Sequence, residues 1–278
     1  VSFTGKMILR LGIILMGVNM NFAEVLDVGK YSLFVMIFTM GTAFGAGNLV
    51  GKLFGMNWKL TNLLSVSTAI CGGSAVAAVG PVIKAKDEDV AYAISSTFIF
   101  DVLTVVVIPW IGMALGMSNM GYGLWVGTAV NDTSSVVAAG YAFSEFAGNT
   151  AVIVKLTRTL FIIPYVLIFS FITERIEAKT VSGQVHKPVN IKKIFPYFII
   201  MFLVVVLFRS TGIIPETIVP GLSKSSKFFM VMALSAIGLK TSYSDIKNIG
   251  YKPMILGFIV DTLVVFVSIG IQVATGRF

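Results

Sequence analysis

The chain has 278 residues, 56% of them hydrophobic and only 12% charged, with a mean hydropathy of +0.91. A soluble domain could not cover so apolar an interior with so little polar surface, so a bilayer is the natural solvent. The net charge of +8 does not point to nucleic acid, because the lysines fall between apolar stretches and not along one soluble face. One cysteine, Cys71, excludes an internal disulfide, and one histidine, His186, excludes a histidine-rich metal site.

A hydrocarbon core about 30 Å thick takes roughly 20 apolar residues in a helix. In chain order the candidates are residues 31–46 with their flanks, 90–115, 151–172, 194–207 and 254–274. Nothing shows the short alternating strands of a β-barrel. The 27 glycines suit helices that approach closely in lipid. Residues 174–193 are polar and form the expected cytoplasmic loop, with His186 as a solvated loop residue. The expected fold is all-α, a polytopic membrane protein forming one transmembrane domain over residues 1–278. No signal peptide is visible, and the opening Val1 leaves room for residues upstream.

Two internal matches suggest inverted repeats. Residues 17–29 align without gaps on 238–250, pairing Phe22 with Tyr243, Glu24 with Asp245 and Val25 with Ile246. Residues 68–80 align on 128–140, placing Ser74 on Ser134. Each segment of the second pair is interrupted by helix-poor residues, Cys71-Gly72-Gly73 in one and Asn131-Asp132-Thr133 in the other. Each is either a broken helix that crosses or a re-entrant hairpin. Hairpins invert every repeated element, whereas crossing segments leave the second pair parallel. The basic residues gather on one side, including Lys52, Lys59, Arg175, Lys187, Lys192 and Lys193, which the positive-inside rule makes cytoplasmic.

Non-helical backbone at membrane depth is tolerated only where protein or a water-filled cavity satisfies it, so the breaks mark the expected site. Ser74, Asp132, Thr133 and Ser134 follow the breaks as candidate N-caps. Two half-helix N-termini meeting near the midplane would suit an anion; close packing of Gly72 and Gly73 is the plainer alternative. Asp101, Lys155, Arg158 and Asp261 are ionisable residues inside apolar spans, where such groups face the bundle interior and pair. Lys155 and Arg158 share a helix face and could grip an anion together; the alternative is a buried salt bridge from Arg158 to Asp101 or Asp132. The substrate-binding candidates are therefore Cys71, Gly72, Gly73, Ser74, Asn131, Thr133, Ser134, Ser135, Lys155 and Arg158. Asp132, Asp101 and Asp261 are the candidates for a coupling proton or Na⁺, with Asp261 serving either that role or helix–helix contact.

Residues 70–83, the run Val136-Val-Ala-Ala-Gly140 and the run Val154-Lys-Leu-Thr-Arg158 resemble the YeiH-like family of bacterial inner-membrane proteins, labelled sulfate exporters. The stretch Arg10-Leu-Gly-Ile-Ile-Leu-Met-Gly17 fits as well, and the resemblance runs over essentially the whole chain. It implies a multi-pass transporter of the bacterial cytoplasmic membrane, distantly related to inverted-repeat carriers, with apolar helices ahead of Val1 in the full-length form.

The expected function is a secondary transporter for a small inorganic or organic anion, working by an elevator-like or rocking motion. Residues 58–176 are its expected core, and residues 1–57 and 190–278 its scaffold. No phosphate-binding Gly-x-x-x-x-Gly-Lys-[Ser/Thr] motif is present, so an ion or substrate gradient must supply the energy. No resident cofactor is expected beyond that coupling ion; the expected partners are the solute, the lipid bilayer and, by base rate, a second copy of the chain. The rival readings are an anion channel, a structural subunit, and an enzyme using Ser74 or Cys71, the last disfavoured because no histidine lies in an apolar span to activate either.

Overall fold

A computed structural model of the chain describes residues 2–180, 197–240 and 251–278. These form α1 (Ser2–Met16), α2 (Phe22–Leu53), α3 (Trp58–Ala69), α4 (Gly73–Val79), α5 (Asp87–Ala114), α6 (Asn119–Ala129), α7 (Thr133–Phe143), α8 (Glu145–Thr159), α9 (Ile162–Thr180), α10 (Tyr197–Ser210), α11 (Val219–Lys240) and α12 (Tyr251–Ala274). His186, much of the expected loop 174–193 and most of the repeat copy at 238–250 lie outside the described residues. Four stretches are long and apolar enough to cross a membrane: Phe22–Leu53, Asp87–Ala114, Glu145–Ile176 and Tyr251–Ala274.

Side-chain distribution inverts that of a soluble protein. Ile37, Val106, Trp110, Phe258 and Phe266 are exposed on the outer faces, while Ser65, Ser67, Thr68, Asp101, Asn131 and Gln272 are buried. An apolar exterior around a polar interior is the arrangement that hydrocarbon imposes, since polar groups must find partners within the bundle. Local chemistry sets the helix starts. The Asn21, Asn57, Ser118 and Ser144 side chains each accept a hydrogen bond from a backbone N–H of the helix that follows.

The two interrupted segments are hairpins. In the first, α3 and α4, the Lys59 Nζ donates to the Lys84 carbonyl at 2.8 Å, so the segment returns to where it began. In the second, α6 and α7, Ser144 Oγ donates to Asn119 Oδ1 at 2.8 Å and Tyr122 OH donates to the Ala139 carbonyl at 3.0 Å. The Tyr122 ring also stacks on Phe143 with centroids 3.9 Å apart. A crossing segment would hold these pairs most of a membrane thickness apart. Between the hairpins runs α5, whose 28 residues span roughly 40 Å at 1.5 Å per residue. It leaves the base of the first hairpin and arrives at the base of the second, so the two enter from opposite ends of the bundle.

Around them, α2 and α12 run antiparallel: Lys252 Nζ donates to the Phe54 carbonyl at one end, and Tyr31 OH meets Thr275 Oγ1 at the other. Both helices pack against the first hairpin, and α12 against α5 and α6 as well. The other grouping is α1 with α10 and α11. There the Ser226 hydroxyl donates to the Gly12 carbonyl at 2.7 Å, and Arg209 Nε donates to the Val18 carbonyl at 3.1 Å.

Candidate functional site

The hairpin tips meet at the centre of the bundle, where α3 and α6 end and α4 and α7 begin. Each ingoing half-helix stops with carbonyls that have no partner within the helix. Both cations of α8 answer that need. Lys155 Nζ donates to the Ile70 carbonyl at 2.9 Å and to the Val130 carbonyl at 3.0 Å. Arg158 donates from Nε to the Ala69 carbonyl and from Nη1 to the Thr128 carbonyl, both at 2.7 Å, and from Nη2 to the Thr68 carbonyl. Positive charge at helix C-termini also complements the helix dipole. The sequence alignment of the two segments pairs Thr68 with Thr128 and Ile70 with Val130, so each cation bonds carbonyls of both tips that the alignment pairs.

Carboxylates occupy the complementary positions. The backbone N–H groups of Asn131 and Asp132 donate to Asp101 Oδ1 and Oδ2 at 2.9 and 3.1 Å. Asp132 caps α7, accepting from the Ser134 N–H at 2.8 Å and from the Ser134 hydroxyl. Asp261, on α12, accepts at Oδ1 from the Thr68 hydroxyl at 2.5 Å and from Asn131 Nδ2 at 2.9 Å. Gly72 lets the first tip turn: its φ of 65° is open to glycine and strained for other residues. A Cβ there would lie 3.6 Å from the Asp132 nitrogen, which shows how closely the tips approach.

The structure thus gathers Asp101, Asn131, Asp132, Lys155, Arg158 and Asp261 at one depth. It does not present the two cations to a solute: both are wholly buried and their hydrogen bonds go to backbone carbonyls. Nor does Arg158 pair with Asp101 or Asp132; its guanidinium donates to the carbonyls of Thr68, Ala69 and Thr128. Cys71 and Gly72 are buried and Ser134 is bonded to Asp132, while Ser74 is exposed and Gly73, Thr133 and Ser135 are half-buried. Those last four, with half-buried Asp132, are the tip positions that are not fully buried.

Several contributors were missed from sequence. Thr68 holds Asp261, Thr128 Oγ1 bonds Ser268 Oγ on α12 at 2.6 Å, and Ser67 Oγ bonds Thr97 Oγ1 on α5 at 2.7 Å. The signal was available in the internal alignment, since Thr68 and Thr128 are its first paired residues. A separate cavity of about 250 Å³ lies between α5 and α12, lined by Ile99, Phe100, Leu103, Met254, Ile255, Phe258 and Ser96. Its apolar lining and lateral position set it apart from the charged centre.

Comparison with known proteins places the chain. The family described as Conserved hypothetical protein 698 matches residues 1–257. A UPF0324 membrane protein of Clostridium tetani is 59% identical, covering 99% of this chain and 82% of its own length. UPF0324 membrane proteins of Streptococcus pneumoniae and Streptococcus mutans are 41% and 39% identical, covering 100% and 98% of this chain and 83% and 82% of their own lengths. No solved structure matches. The agreement extends over both hairpins and the helices that close on them, and it is consistent with the YeiH-like resemblance: this is a multi-pass membrane protein of the Conserved hypothetical protein 698 family, whose relatives are named UPF0324 membrane proteins.

Proposed function

We propose that this protein is a secondary transporter carrying a small inorganic or organic anion across the bacterial cytoplasmic membrane. The observation that carries the reading is the meeting of two oppositely inserted hairpins over a buried cluster of charges. Interrupted backbone at that depth is found where a solute or ion is bound, and paired broken elements from opposite sides give alternating access a site to work around. Lys155 and Arg158 favour an anion through their field, not by direct grip, because they hold two positive charges at the hairpin tips that also carry Ser74, Thr133 and Ser135. A gradient supplies the energy, with Asp101, Asp132 and Asp261 as the groups available to a coupling ion. We assign the hairpins with α5 and α8 to the moving core, and α1, α2, α10, α11 and α12 to the scaffold.

The test is uptake into proteoliposomes of sulfate, sulfite, small sulfonates and small carboxylates. Saturable uptake with counterflow of one of these supports the transporter, while unsaturated conductance without counterflow identifies a channel. For the transported anion, Ser74→Ala and Thr133→Ala should raise KM several-fold while leaving the melting temperature close to wild type, since exposed or half-buried positions contribute little to stability. An unchanged KM in both variants removes the tips from the substrate site.

A further inference from the structure

Two buried oxygens at the centre have no hydrogen-bond partner: Asp261 Oδ2 and Asn131 Oδ1. They belong to side chains already joined along one edge, where Asn131 Nδ2 donates to Asp261 Oδ1 at 2.9 Å. Both residues are wholly buried. An ionised carboxylate left half-unsatisfied in such a place is expensive. Here the second unsatisfied acceptor sits on the amide that bonds the other oxygen of the same carboxylate.

We propose that Asp261 is a proton-binding site, the proton residing on Oδ2 and being donated to Asn131 Oδ1, so that carboxylic acid and amide close a two-point ring. One proton then satisfies both orphaned oxygens. A metal cation would need a shell of several oxygen ligands; the orphaned pair supplies two, while the Thr68 hydroxyl and Asn131 Nδ2 present hydrogens to Asp261 Oδ1. Charged groups acting on Asp261 are Asp101 from α5 and Lys155 and Arg158 from α8, with Asp132 and Cys71 in the adjoining hairpin tips; α6, also packed on α12, carries no charged residue and has Tyr122 as its titratable group, bonded to the Ala139 carbonyl. The charged residues of α2, packed on α12, lie towards its two ends, and that of α3 lies in its first turn. The ring ties α12 to the tip of the second hairpin. Loss of the proton leaves two acceptors against each other and slackens that tie, which links protonation to movement of the hairpin. This coupling role rests on the transporter reading; the proton site itself does not.

The test uses the purified full chain in detergent. Melting temperature is followed from mildly acidic to mildly alkaline pH at fixed ionic strength, once with sodium and once with choline as the only added cation. The folded protein holds a proton that the unfolded carboxylate releases, so the melting temperature should fall by several degrees as pH rises, equally in both salts. Asp261→Asn supplies a permanent donor to Asn131 Oδ1, so this variant should lack that fall and be at least as stable as wild type at the alkaline end. A pH-independent wild type, or a fall that sodium alone reverses, overturns the proposal. Should Asp261→Asn not fold, infrared spectroscopy decides: the wild type should show a protonated-carboxyl stretch that is lost on alkalinisation and shifted by Thr68→Val. Absence of the stretch, or indifference to Thr68→Val, overturns the proposal equally. None of these readings involves flux, so a proton link without transport would sink the transporter and leave the site standing.

Discussion

At the level of single residues, Lys155 and Arg158 pose the sharpest question, because a lysine and an arginine are costly at the centre of a membrane bundle unless they do something there. A binding role and a structural role predict different behaviour in the absence of solute. The structure gives both cations to carbonyls at the ends of α3 and α6. Replacing Lys155 by methionine keeps the volume and removes the donors, leaving the carbonyls of Ile70 and Val130 buried and unpaired. At about 1–3 kcal/mol for each of the two orphaned groups, Lys155→Met should destabilise the protein by roughly 2–6 kcal/mol. Its melting temperature in detergent, with no anion added, should drop accordingly; a curve superimposable on wild type would end the structural role and restore Lys155 as a free ligand. Arg158→Lys is no milder, because a single ammonium cannot reproduce the planar fork that reaches three carbonyls.

At the level of elements, the hairpins follow from chain ends that lie together. A cysteine pair at Asn119 and Ser144, whose side chains are 2.8 Å apart, should form a disulfide on mild oxidation. The native Cys71 is buried and need not interfere. The readout is mass spectrometry of the linked peptides, and failure to cross-link under conditions that join a surface control pair would return the segment to a crossing helix. The position of each break was legible in sequence, because glycine at 72–73 and Asn131-Asp132 are poor interior helix residues in stretches otherwise apolar. The partners of Lys155 and Arg158 were not, because backbone carbonyls carry no sequence signature. Thr128 illustrates a second limit: its hydroxyl also bonds the Leu124 carbonyl one turn back, a habit of threonine in any helix that hides the contact to Ser268. The span at 151–172 was legible as a single helix, but the structure divides it at Leu160 and Phe161. Residues 219–240 escaped because Lys224, Ser225, Ser226 and Lys227 dilute their apolar character, and only packing against α1 reveals their place.

At the level of the whole molecule, the hairpin geometry sorts every described loop to one end or the other. Lys52, Lys59, Lys84, Lys86 and Lys252 fall at the end from which the first hairpin enters, and Lys224, Lys227 and Arg277 fall at the end from which the second enters. The chain also leaves α9 and resumes α10 at the first end, and the sequence between them carries Lys187, Lys192 and Lys193. Translocating lysine and arginine is the step that orientation avoids, so the positive-inside rule predicts the first end to be cytoplasmic. Single cysteines decide the matter in a Cys71→Ala background. Lys224→Cys, exposed near the start of α11, should react with a membrane-impermeant maleimide in intact cells. Lys86→Cys, exposed in the turn beyond the first hairpin, should react only after the membrane is opened. The reverse pattern would invert the molecule and with it the compartment from which each tip is reached. Labelling of both from outside would contradict the opposed hairpins themselves, because α5 must then fail to carry the chain from one end of the bundle to the other.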